Sequence, residues 1–297
     1  MNTQLALQLA SDALHKLEGK RFDILDISKP TSSDGILNLV KFNSKLSPLI
    51  ANLIEVDVCS FLNQQGNFNH LGTWVRQDPG FPDVILNSTI FPQPGFEIKA
   101  WFPLATEMTA RFKDSQNAFL DNQTNVAVIA WLPEFLIYGQ PKVVGVFITS
   151  AKSIAKARDI HYFNPPDYLV VEPLDTKMRT KNLQQSNTSG YKWQSNNKEQ
   201  FLNAEQIVME QLDSEELYSA TEKQKNLVNL LLQNYPYRLD TNYAKLDRIK
   251  HPDLDKFILE IYTRKIYGRS IRDWYRLFQS DNEKLVLDSL SEISEPW

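Results

Sequence analysis

The stretch GFPDVILNSTIFPQPGFEIKAWF, Gly80 to Phe102, decides the fold. Two short apolar runs flank Pro92-Gln93-Pro94-Gly95, which its prolines and glycine make a turn. In the second run the residues alternate. Phe96, Ile98 and Ala100 share one face of a predicted strand, and Glu97, Lys99 and Trp101 share the other. Asp83 lies in the first run beside the β-forming Val84 and Ile85, and a hairpin lets it meet Glu97 and Lys99. Two carboxylates and an ammonium converging at a sheet edge form a site for a divalent cation with its own proton handler. That is the chemistry a phosphodiester hydrolysis needs.

Pro82-Asp83 and Glu97-Ile98-Lys99, with thirteen residues between Asp83 and Glu97, resemble the catalytic motif of the PD-(D/E)xK nuclease superfamily. Within that superfamily the chain is most like a type II restriction endonuclease. The resemblance implies an α/β fold, a mixed β-sheet flanked by helices, and a Mg²⁺ cofactor held by Asp83, Glu97 and the Ile98 carbonyl. It implies that Lys99 orients or deprotonates the attacking water, with a lowered pKa if it is partly buried. It also implies double-stranded DNA as partner, 5′-phosphate and 3′-hydroxyl products, and accessory residues on neighbouring helices. Glu55, ahead of the catalytic strands, matches the acidic helix position, with Asp57 as its less favoured neighbour. Gln116 and Arg111, after them, match the positions near the scissile phosphate. A restriction enzyme acting on a palindrome would be a homodimer. A repair or structure-specific nuclease on the same core, and a DNA-binding protein without an active site, are the alternatives.

Composition is compatible with this and excludes other chemistry. With 297 residues, 42% hydrophobic and 23% charged, the chain can bury a large core. A single cysteine, Cys59, leaves neither a disulfide framework nor a cysteine zinc site, and fits a cytoplasmic protein. The four histidines lack metal-ligand spacing. No apolar run is read as membrane-spanning, and the first twenty residues do not read as a signal peptide. There is no Gly-rich phosphate loop, no G-x-S-x-G elbow and no paired histidines of the HNH kind. A net charge of −4 argues against a protein that coats DNA. The charge is uneven, however. Thr241 to Arg276 holds nine Lys/Arg against five Asp/Glu, while Phe201 to Asp240 holds three against seven. A basic segment between acidic ones suits a nucleic-acid face.

Along the chain, Leu5, Leu9, Ala13 and Leu17 predict a first helix ending near Gly19, followed by a loop to Gly35. Leu46 to Phe61 predicts a second helix, capped by Ser47 with Pro48 in its first turn and Leu49, Leu53, Val56 and Ser60 along one line. Strands are expected at Leu71–Arg76, in the two motif runs, and at Asn125–Phe135, Lys142–Ile148 and Tyr168–Glu172. Helices are expected after Pro103 and after Ser150. The nuclease core is thus placed within residues 1–175 and the resemblance within Leu46 to Glu172. Residues 176–200 form a polar linker or an arm that orders on DNA, with Lys177, Arg179 and Lys181 interleaved with aromatics. Residues 201–297 form a mainly helical C-terminal region for DNA recognition or dimerisation. One helix there is predicted from Leu254 to about Tyr267. Ile266 to Ile271 then reads as a helix-turn-helix that presents Arg269, Arg272 and Arg276 to DNA.

Overall fold

The computed structural model describes residues 1–23, 25–78, 80–104, 122–163, 169–171, 191–193 and 251–297, with five isolated positions between 199 and 230. The expected helix after Pro103, and most of the expected 176–250 region, lie outside these residues.

The chain is α/β, built on a five-stranded mixed sheet flanked by helices. Its strands are β1 (Gly72–Arg76), β2 (Val84–Ser88), β3 (Gly95–Trp101), β4 (Thr124–Pro133) and β5 (Pro141–Ser150), in spatial order β1-β2-β3-β4-β5. Three of the four pairings are antiparallel, and β3 with β4 is parallel. A parallel neighbour needs a long crossover, and here 102–123 supplies it. β4 and β5 read as continuous apolar runs because they are covered on both faces: Val126 to Leu132 are all fully buried.

Alternation on β3 gives each face its own cover. Phe96 lies beside Val84 in register and packs on Trp74, ring centroids 5.6 Å apart, with Phe68 edge-on to Trp74 at 5.4 Å. Trp101 has the opposite parity and meets Phe257 and Tyr262 of α4 (Pro252–Thr263). Gly145 on β5 lets α4 settle close, since a Cβ there would stand 2.6 Å from Ile261 Cδ1.

The first helix, α1 (Thr3–His15), turns Ala6, Ala10, Ala13 and Leu14 inward, and Leu17 follows just beyond its end. Leu5, expected on the buried stripe, is about half exposed; the inward face lies one residue along. The second helix, α2 (Ser33–Asn63), starts thirteen residues earlier than Leu46. Ser32 is its cap, its side chain accepting from the Gly35 N–H, and Pro48 lies inside the helix, so Ser47 is no cap. Ile50, Ile54, Val58 and Leu62 form its fully buried line, one position from the expected one, leaving Leu49 and Val56 about half exposed. Lys45–Asn63 of this helix is long and apolar enough in composition to cross a membrane, contrary to the sequence expectation. Its buried line is part of the core against β1 and β3.

After β5 comes α3 (Ala151–Phe163), then β6 (Leu169–Val171) and β7 (Tyr191–Trp193). The strand expected at Tyr168–Glu172 is therefore present as β6, but it pairs with β7 in a separate two-stranded sheet. Residues Met1–Asp159 and Ala244–Trp297 form one compact unit and Ile160–Tyr243 a second. Leu254, Phe257, Trp274, Leu277, Val286 and Leu290 join the same core as the sheet.

α4 stops at Thr263, short of Tyr267. A tight hairpin, β8 (Lys265–Ile266) with β9 (Arg269–Ser270), intervenes before α5 (Ile271–Phe278) and α6 (Glu283–Ser291). Tyr267 (φ 50°) and Gly268 (φ 75°) both have positive φ, as a two-residue turn matching strand twist requires. The helix-turn-helix expectation is thus replaced by helix, hairpin, helix. Ser270 does initiate α5, its Oγ accepting from the Asp273 N–H at 3.1 Å.

Candidate active site

β2 and β3 stay paired only at Val84↔Phe96 and Ile85↔Gly95. Beyond that point the strands part, and Asp83 fills the gap with its side chain. Oδ2 accepts the Ile98 N–H at 2.7 Å, satisfying a ladder donor that lacks a strand partner. The turn carrying Asp83 is held from the other side by Gln77. Its backbone N–H donates to the Asp83 carbonyl at 2.8 Å and its side-chain amide to the Pro82 carbonyl at 2.9 Å. Gly95 completes the fit, because a Cβ there would lie 2.4 Å from Pro82 Cγ.

On β3, Glu97 and Lys99 emerge side by side as the alternation predicts. Lys99 Nζ donates to Glu97 Oε1 at 2.6 Å and to the Ile98 carbonyl at 3.0 Å, and stands 3.5 Å from Asp83 Oδ2. The Asp83, Glu97 and Lys99 side chains therefore come together. Glu97 is only 8% exposed and its Oε2 is buried with no hydrogen-bond partner. Burial pushes its carboxyl above the usual carboxylate range; Lys99 pulls it down, and Asp83 pushes it further up.

Glu55 lies on α2 near this cluster, close enough that Asp83 repels its charge and Lys99 attracts it. Burial raises its pKa, opposed by the hydrogen bond from Arg76. Its Oε2 accepts from Arg76 Nε at 2.8 Å. The same guanidinium donates to Asp78 Oδ2 at 2.7 Å and Asn52 Oδ1 at 2.9 Å. The resemblance implied that an acidic residue at Glu55 joins the metal shell; here its carboxylate is hydrogen-bonded to an arginine. Asp57 is directed elsewhere, where Asp23 acts on it. Arg76, Asn52 and Gln77 were missed in the sequence. A signal was there for Arg76: a lone cation closing β1, before the Asp78-Pro79-Gly80 turn that leads to Asp83.

Among the described residues no three His, Cys, Asp or Glu side chains are grouped so as to hold a metal. The oxygens that would serve are two carboxylates and a backbone carbonyl, from Asp83, Glu97 and Ile98. All three already converge on one cation, the Lys99 ammonium, and one buried carboxylate oxygen is left unpaired. Oxygen donors of this kind suit Mg²⁺, which is commonly held by one or two carboxylates with water completing the shell.

The other expected site residues divide. Arg269 lies on β9, not on a helix; it donates to Ser289 Oγ at 3.3 Å and stands 5.4 Å from the Trp274 ring centroid. Arg272 stacks over Tyr262 at 5.2 Å, and Arg276, with its side chain largely exposed, is 3.8 Å from Asp273. Only Arg272 and Arg276 share a helix face. Gln116, Arg111, Lys177, Arg179 and Lys181 lie outside the described residues. Of the histidines, His251 caps α4 by accepting the Leu254 N–H on Nδ1, which leaves Nε2 to donate to Ser153 Oγ at 3.0 Å. A ring in that tautomer cannot act as base toward the serine.

No family model, curated protein or solved structure matches this chain.

Proposed function

We propose that this chain is a Mg²⁺-dependent endonuclease of double-stranded DNA, of the type II restriction kind, on a restriction-endonuclease-like core. One observation carries the reading. Asp83, Glu97, the Ile98 carbonyl and Lys99 converge where β2 and β3 part, with one Glu97 oxygen buried and unsatisfied. An unpaired buried carboxylate oxygen is costly, and a bound cation would remove that cost.

Mg²⁺ would be held by Asp83, Glu97 and the Ile98 carbonyl; when bound, it polarises the phosphate and acidifies a water. The remaining work falls to the chain. Ile98 N–H fixes the Asp83 carboxylate, and Gln77 fixes the turn behind it, so the donor oxygens need little reorganisation. Lys99 Nζ donates to Glu97 and the Ile98 carbonyl as an ammonium; in that form it would orient the attacking water, and it would take the water's proton only after releasing one of its own. Residues Ile160–Tyr243 form a second compact unit, which we assign to sequence readout. A homodimer would match a palindromic target.

Digestion of phage DNA with Mg²⁺, followed by sequencing of the ends, tests this. Discrete fragments with identical 5′-phosphate ends are expected. Cutting only at branches or lesions would replace restriction by structure-specific cleavage. Duplex binding without cutting in any divalent cation would refute the enzyme reading.

A further inference from the structure

Strand register ties the site to a part of the chain remote in sequence. Residues paired across neighbouring strands point to the same face of a sheet. Lys99 and Trp101 lie opposite Val128 and Ala130 on β4, and those lie opposite Phe147 and Gly145 on β5. α4 covers that row: Phe257 packs on Phe147, ring centroids 5.5 Å apart, and Ile261 comes down over Gly145. The C-terminal helices therefore pack on the sheet face that carries Glu97 and Lys99. Two aromatic contacts then lead outward from it. Tyr262 of α4 stands edge-on to Trp101 with centroids 5.5 Å apart, and the Arg272 guanidinium of α5 lies 5.2 Å from the Tyr262 centroid.

We propose that Arg272 grips a backbone phosphate of the duplex that lies in the Asp83–Glu97–Lys99 site, and that Tyr262, seated on the site strand through Trp101, is the residue that positions it. The inference rests on the DNA-cleavage reading above and deepens it, by naming a substrate contact built onto the same sheet face as Glu97 and Lys99.

Arg272 differs from its neighbours in how its charge is used. Arg21, Arg76, Arg264 and Arg276 each stand against a carboxylate, and Arg269 donates to Ser289. Arg272 is exposed and forms no ion pair among the described residues, so its N–H donors remain available for an anion. The Tyr262 ring meanwhile holds the guanidinium by its face. A side chain already held loses less freedom when it takes a phosphate, and more of the contact reaches the complex. Reach is sufficient as well. Trp101 stands two residues, about 7 Å, beyond Lys99 on β3, and the two ring contacts add 5.5 and 5.2 Å. That path is shorter than one turn of duplex, about 34 Å, so a single DNA molecule can meet Lys99 and Arg272 together. A phosphate away from the scissile bond is gripped equally before and during the reaction, so the contact belongs to KM and not to kcat.

The test measures binding of the full chain to a fluorescein-labelled 30-base-pair duplex by anisotropy, in Ca²⁺, across a range of salt concentrations. Arg272→Ala should lower the salt slope by about one. Tyr262→Leu should lower it in the same way, Tyr262→Phe, which keeps the ring, should match the parent, and the double variant Tyr262→Leu/Arg272→Ala should lose no more than Arg272→Ala alone. In Mg²⁺, Arg272→Ala should raise KM for cleavage at unchanged kcat. Folding of each variant is checked by circular dichroism; if Tyr262→Leu does not fold, Arg272→Ala and Tyr262→Phe still decide. An unchanged slope in Arg272→Ala or in folded Tyr262→Leu, a lowered slope in Tyr262→Phe, or additive losses in the double variant would each overturn the proposal. A parent that binds no duplex would overturn it together with the DNA reading. The expected slopes in a parent that cuts in no divalent cation would uphold the phosphate contact and refute the nuclease reading alone.

Discussion

Replacing Asp83 by Asn separates the chemistry of the site from its architecture. The bond from the Ile98 N–H to Asp83 Oδ2, 2.7 Å long, is charge-assisted. The amide keeps an acceptor in place, so the loss is the difference between a charged and a neutral hydrogen bond, about 1 kcal/mol. The Lys99 ammonium 3.5 Å away, with both side chains about one-fifth exposed, adds no more than ~1 kcal/mol. Removing the charge also ends the repulsion that Asp83 exerts on Glu97 and Glu55, which offsets part of both losses. Asp83→Asn should therefore unfold in urea within about 1 kcal/mol of the parent, followed through tryptophan fluorescence. Cleavage should fall far more. If Asp83 is a ligand of the proposed Mg²⁺, each ~4 kcal/mol of transition-state stabilisation lost with it corresponds to about 10³-fold in rate. A variant that cleaves at the parent rate would remove Asp83 from the site. One that is destabilised by several kcal/mol would refute the account of how Asp83 is held.

Asn63→Ala removes a side chain that binds both the N–H (2.7 Å) and the C=O (2.8 Å) of Trp74, leaving two β1 groups unpaired; a loss of about 2–4 kcal/mol is expected in the same urea assay, and an unchanged midpoint would contradict it. Tyr267 has its phenol pushed up to about 12 by burial, so the folded chain keeps a proton that the unfolded chain releases near 10. Its contribution to stability is complete below the unfolded value and disappears as pH rises through the folded one; Tyr267→Phe should flatten that alkaline decline, and a decline of the same slope would contradict this. Arg272→Ala and Arg276→Ala should each weaken binding to all duplex sequences alike and lower the salt slope by about one, whereas unchanged curves at two salt concentrations would take α5 off the DNA face. Arg269→Ala, which loses contacts to Ser289 and Trp274, should show itself in thermal stability rather than in the salt slope; the reverse outcome would return Arg269 to the binding face.

The strands around the site were legible because their signals are local. Glu97 and Lys99 sit at a spacing that only a strand turns to one side, and Pro92 to Gly95 announces the return of the chain. What failed were signals that mean two things. Ser47-Pro48 has the form of a helix start, yet the helix already runs from Ser33, and packing along Ile50, Ile54, Val58 and Leu62 carries it through the proline. Tyr267-Gly268 has the form of a turn between helices, but it closes a hairpin whose strands are two residues each, too short for any periodicity to reveal. The hold of Arg76 on Glu55 joins residues twenty-one apart on different elements, and the return of residues 251–297 to the sheet depends on contacts such as Trp101 with Phe257. In both, the partner lies too far along the chain for a local pattern to name it.

That return dictates an order of events during synthesis. The meander β1-β2-β3 and the hairpin β4-β5 each join strands close in sequence, so both can form as soon as they leave the ribosome. β3 is the seam between these two halves, and its parallel pairing with β4 must wait for the crossover. Phe257, which packs on Trp101 and Phe147, is made more than a hundred residues after either of them. The site strand β3 is thus set by local pairings on one side, while its Trp101 face waits for a helix remote in sequence.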